Sequence, residues 1–167
     1  ESQKYGYINI GTNYFNYWNG LRYGLNIDLE KGIGGSRDFN EVPLMGDFNP
    51  HFTTIKLNLE TAYNFENGML WNGKFGYQNS SSGTSSANSF YIGGPDRGRA
   101  YTTGFASMPE GFYLSNVLNF KSFDIKGQSI TPYIGYDYAQ GKLATGESRK
   151  AQSAFIGAVY IPTKDLS

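Results

Sequence analysis

Apolar and polar side chains alternate with a period of two through most of the chain, the pattern of half-buried β-strands. It is most regular over residues 21–30. There Leu21, Tyr23, Leu25, Ile27 and Leu29 share one face, and Arg22, Gly24, Asn26, Asp28 and Glu30 the other. Residues 53–65 repeat it, with Ile55, Leu57, Leu59 and Tyr63 against Lys56, Asn58 and Glu60. So do residues 69–78, with Trp71, Phe75 and Tyr77 against Asn72, Lys74 and Gln78. Residues 4–15 set Ile8, Ile10, Thr12 and Tyr14 against Asn9, Gly11 and Asn13. Further on, Phe112, Leu114, Leu118 and Phe120 oppose Ser115, Asn119 and Lys121. Ile130, Pro132, Ile134, Tyr136 and Tyr138 oppose Thr131, Tyr133, Gly135, Asp137 and Ala139. A last run, 151–161, places Phe155, Val159 and Ile161 on the apolar face and small residues on the other. The sum is about seven strands of roughly ten to fourteen residues, where a globular strand usually has about five or six. A tilted strand crossing a bilayer needs about ten.

The connections sharpen this reading. Tight turns are expected at 16–20, which ends in Asn19-Gly20, at Glu66-Asn67-Gly68 and at 124–128, since Asn-Gly favours two-residue hairpins. Between them lie long polar segments at 31–50, 79–111 and 141–150. Short turns alternating with long loops are the asymmetry of a membrane barrel. Aromatics gather near strand ends (Tyr14, Phe15, Trp18, Tyr63, Phe65, Trp71, Tyr136, Tyr138), as an interfacial girdle requires. The expected fold is all-β, an antiparallel transmembrane β-barrel. The alternative is a soluble barrel whose apolar face lines a ligand cavity.

Composition removes several function classes. Lys and Arg balance Asp and Glu, giving zero net charge, which argues against a general nucleic-acid binder. With no cysteine, there is neither a disulfide framework nor a thiolate metal site. No run of about eighteen apolar residues encodes a membrane helix. His51, the single histidine, stands beside Pro50 without partners at a metal-binding or catalytic spacing. Asp28, Glu30 and Asp137 read as polar lining together with Arg22, Lys56, Lys74 and Lys121. No enzyme, cofactor or metal centre is expected.

One segment breaks the alternation: Phe90-Tyr91-Ile92-Gly93-Gly94-Pro95-Asp96-Arg97-Gly98-Arg99-Ala100-Tyr101-Thr102-Thr103-Gly104. Its glycines permit a tight fold around three charges, and it is longer than a hairpin needs. It is not a phosphate loop, because no Lys-Ser/Thr follows and no helix begins there. The segment resembles the Gly-Gly-x-x-x-Val-Arg-Gly/Ala-Tyr/Phe signature of the outer-membrane transporters of two-partner secretion, the haemolysin-activator or haemagglutinin-transporter family. Gly93, Gly94, Arg99, Ala100 and Tyr101 fit, while Gly98 stands where Val is usual. Pro109-Glu110-Gly111-Phe112-Tyr113-Leu114-Ser115 is similar to the family's continuation. Pro132-Tyr133-Ile134-Gly135-Tyr136-Asp137-Tyr138-Ala139 is similar to its later Asp-x-Gly strand, with Ala139 in place of Gly.

The resemblance implies a sixteen-stranded barrel in the bacterial outer membrane, of which 1–167 would form part, without the family's periplasmic domains. It also implies a loop folded into the lumen as plug or gate, with Arg99 meeting Asp137 on the wall. The implied partners are a secreted exoprotein and membrane lipid, the pore being monomeric. The related barrel-assembly branch usually carries Gly after the Arg, so Ala100 leans toward secretion. With about seven strands and an opening at Glu1, the chain is expected to be a mature piece of a larger barrel.

Overall fold

The computed structural model describes residues 3–37, 50–81 and 88–162. Seven long strands pair as antiparallel neighbours: β1 Gln3–Trp18, β2 Leu21–Arg37, β3 Thr53–Asn64, β4 Leu70–Ser80, β7 Glu110–Asn119, β9 Gln128–Lys142 and β10 Ser148–Ile161. Short β8, Phe123–Ile125, pairs with the start of β9. A separate two-stranded hairpin, β5 Phe90–Ile92 and β6 Ala106–Met108, interrupts the β4-to-β7 connection. Among the described residues the sheet stays open, with β1 and β10 at its edges, and no helix is long and apolar enough to cross a membrane.

The register turns the sequence alternation into two unlike faces. Leu25 pairs with Tyr14 and Leu59, Leu59 with Phe75, Phe75 with Leu114 and Leu114 with Tyr138, an apolar row across six strands. One residue along, the row reads Gly24, Glu60, Lys74, Ser115, Asp137 and Ser153. The apolar face is uncovered: Ile10 is 69% exposed and Ile156 86%. So much contiguous apolar surface calls for a nonaqueous neighbour. The buried hydrophobic cluster lies instead on the polar face, where Phe90, Ile92 and Met108 of the hairpin pack on Ala139 and Ala151. Nearer β1 the polar face is self-paired. Asn58 donates to Asn26 at 3.2 Å, Asn26 to Asn13 at 2.9 Å, and Lys56 to Glu30 at 2.6 Å.

Turn chemistry explains the hairpins. Asn19 (φ 47) and Gly20 (φ 87), like Lys126 (φ 52) and Gly127 (φ 79), are both left-handed, the conformation of a two-residue hairpin turn matched to strand twist. Some expected boundaries shift. The first turn shrinks from 16–20 to Asn19-Gly20 because β1 runs on to Trp18. The polar segment 141–150 is not a long loop: Leu143 N–H donates to Glu147 O at 2.8 Å, and the strands resume at once. Its flanks, Gln140-Gly141-Lys142 and Ser148-Arg149-Lys150, are polar or glycine on both faces, so periodicity is silent where backbone pairing continues. β2 similarly extends to Arg37. The rest of the expected 31–50 loop, residues 38–49, and residues 82–87 of the Ser-rich stretch lie outside the described residues, as does the chain end at Ser167.

One face assignment is corrected. Ser153 pairs with Asp137, Phe155 with Gly135 and Val159 with Thr131, so Phe155, Val159 and Ile161 belong to the polar face. Ala154, Ile156, Ala158 and Tyr160 take the apolar one. Both faces of β10 mix small and large residues, so only its register against β9 decides.

Candidate functional site: a loop anchored on the polar wall

The loop between β5 and β6 is closed on itself before it meets the wall. Gly93 N–H donates to Arg97 O at 2.9 Å, and Gly94 N–H to Tyr101 O at 3.1 Å. Gly93 (φ 95) and Gly94 (φ 83) are left-handed and buried, and a Cβ on Gly94 would come 2.5 Å from the Thr103 hydroxyl oxygen. The turn therefore requires glycine at both positions. Gly98 (φ 103) lies against the wall, where an added Cβ would sit 2.8 Å from the Ala151 Cβ. Valine could not occupy this position in this conformation.

This packing presents Arg99 to Asp137. Arg99 Nε donates to Asp137 Oδ2 at 2.7 Å and Nη2 to Oδ1 at 3.3 Å, and the Arg99 backbone N–H reaches Oδ2 at 3.4 Å. Two neighbours in the same cross-strand row complete the shell. Ser115 on β7 donates to Oδ1 at 2.7 Å and Ser153 on β10 to Oδ2 at 3.3 Å. Asp137 is 0% exposed, and a buried carboxylate needs such saturation to offset its lost hydration. The paired guanidinium fork matches both carboxylate oxygens. Its other side faces Phe155, with Arg99 Cζ 3.5 Å from the ring centroid, a cation–π stack.

Two further charges are engaged. Lys74 on β4 donates to Asp96 Oδ2 at 2.7 Å, and Asp96 Oδ1 lies 3.7 Å from Arg99 Nη2. Arg97 stacks between Phe90 at 5.1 Å and Tyr113 at 4.9 Å. Among the described residues no group of three or more His, Cys, Asp or Glu could hold a metal ion.

A family model described as "Haemolysin secretion/activation protein ShlB/FhaC/HecB" matches residues 1–160. The chain belongs to this family. Its members are outer-membrane β-barrel proteins of two-partner secretion. Curated proteins and solved structures give no significant match.

Within this ShlB/FhaC/HecB chain, four of the motif residues converge. Gly93 and Gly94 shape the turn, and Arg99 meets Asp137. The side chains of Ala100 and Tyr101 do not join them: both residues are exposed, the Tyr101 ring lies 5.4 Å from that of Phe105, and Tyr101 takes part through its backbone alone, accepting from Gly94 N–H. Ala139 is fully buried in the cluster beneath the hairpin. The motif alone did not disclose Ser115, Phe155 and Lys74 as contacts of the loop, nor Ser153 as a donor to Asp137. Ser115 and Lys74 already stood on the polar face by parity. Phe155 was missed because its parity was assigned from its own hydrophobicity.

Proposed function

We propose that this chain forms wall and loop of an outer-membrane transporter that carries a secreted exoprotein partner. The β5–β6 hairpin and residues 93–105 act as the plug or gate of its lumen. Family membership supports the transport role, and the observation that carries the gate is the Arg99–Asp137 pair. A loop meant only to connect two strands has no need of a buried carboxylate on the neighbouring β9 surrounded by five donors. The wall around it is polar and charge-balanced, a surface along which an extended polypeptide could pass without adhering. The apolar face lies on the other side and suits lipid, which weighs against a soluble barrel with an apolar ligand cavity. We infer a pore that works as a monomer, with transport drawing on folding of the partner outside.

The test is secretion of the partner by cells carrying Arg99→Ala or Asp137→Ala, with heat-modifiable migration of the barrel as the insertion control. Secretion is expected to fall while the barrel still inserts. Normal secretion by both variants would remove the gate role.

A further inference from the structure

The loop meets the wall at two places that differ in chemistry. The inner one is Asp137 on β9. The outer one is Lys74 on β4, whose ammonium lies 2.7 Å from Asp96. Lys74, Ser115 and Asp137 are consecutive partners in one cross-strand row, so the loop straddles β7 and is held from the strand on either side. Asp96 is a non-glycine residue in the left-handed region (φ 65), a conformation with a local energetic penalty that persists when surrounding contacts impose it. Of the polar groups around its carboxylate, the Lys74 ammonium at 2.7 Å lies nearer than Ser115 at 3.5 Å and Arg99 at 3.7 Å.

The two anchors are unequal. At the inner anchor Asp137 is 0% exposed and Arg99 33%, whereas at the outer one Lys74 and Asp96 are 40% and 29% exposed, so the difference lies in the carboxylates. Exposed pairs are weak and screened by salt; desolvated ones much less so. Ser115 widens the gap. Its hydroxyl has one proton to donate, and its Oγ lies 2.7 Å from Asp137 Oδ1 and 3.5 Å from Asp96 Oδ1, so the serine reinforces the inner anchor.

We propose that Lys74 is a second, separately releasable anchor, and that the Asp96 end of the loop leaves the wall first while Arg99 remains on Asp137. The turn closed by the Gly93–Arg97 hydrogen bond leaves as a unit and takes Arg97 off Tyr113. This inference rests on the plug reading, and the test separates the two.

The full protein is reconstituted in planar lipid bilayers and its channel openings are recorded at about 0.1 M and about 1 M salt, between which the Debye length falls from about 10 to about 3 Å. Wild type opens more often at high salt. Lys74→Met and Asp96→Asn raise opening at low salt about fivefold, the factor expected for losing one weak ion pair, and flatten the salt response. The double variant opens no more than either single one, because both remove the same contact. Lys74→Arg keeps the wild-type behaviour. If Lys74→Met and Asp96→Asn match wild type while Arg99→Ala opens the pore, Lys74 is wall lining and the second anchor is overturned. If Arg99→Ala and Asp137→Ala also leave the conductance unchanged, the plug reading itself falls.

Discussion

The polar face of this sheet has two regions built on opposite rules. Across β1 to β3 it carries long side chains that satisfy one another, the Asn13–Asn26–Asn58 ladder and the Lys56–Glu30 pair. Beneath the hairpin, across β7, β9 and β10, it carries a patch of small ones, Gly111, Gly141, Ala139, Ala151, Ser115 and Ser153, flanked by Tyr113 and Phe155 on which the loop arginines stack. A Cβ on Gly141 would come 2.7 Å from the Met108 sulfur, and one on Gly111 would collide with the Phe90 ring. The second region is a bed shaped for the hairpin, and the first is held by hydrogen bonds among its own side chains. Side-chain size on the polar face, rather than polarity, tells where the loop rests.

Removing Asp137 from that bed is the severest way to break the contrast. Asp137→Ala takes the partner from Arg99, a side chain one-third exposed, and losing hydrogen bonds to a charged group of this kind is worth up to about 3 kcal/mol. Trypsin cleavage after Arg97 and Arg99 is then expected to rise on the order of a hundredfold, as cleavage follows the open population. An unchanged cleavage rate would mean that other contacts hold the loop. Next comes Ala151→Leu, which adds bulk beneath both Gly98 and the Phe90 cluster. Overpacking of this kind is worth about 1–3 kcal/mol, and a lowered midpoint of urea unfolding in lipid should record it. Phe155→Ala should have a smaller effect, removing a stack worth about 0.5–1 kcal/mol, with a fewfold rise in tryptic cleavage. Asn26→Ala on the self-paired region should alter neither readout by more than about 0.5 kcal/mol. An effect as large as that of Ala151→Leu would erase the distinction between the two regions.

Much of this was legible in the residues. The period of two set the faces of six strands because each pairs a clear apolar row with a polar one. Asn19-Gly20 announced its turn by chemistry alone. The meeting of Arg99 with Asp137 was implied by the motif's resemblance, since residues 38 apart in the chain carry no local signal of contact. Other features were hidden for physical reasons. The strand ends at Lys142 and Ser148 are held by backbone hydrogen bonds that leave no mark on side-chain pattern. Phe155 shows that an aromatic can occupy a polar face when a guanidinium stacks on it, a circumstance that hydrophobicity cannot register. The β5–β6 strands, three residues each, are too short for any periodicity to appear.

The hairpin has backbone pairing of its own, separate from the ladders of the large sheet. Side-chain packing and ion pairs fix it to the wall, so its departure would leave every rung of the seven-strand ladder intact. Mechanical strength and mobility thus reside in different kinds of bond: the wall can stay rigid in the membrane while its occupant is free to travel.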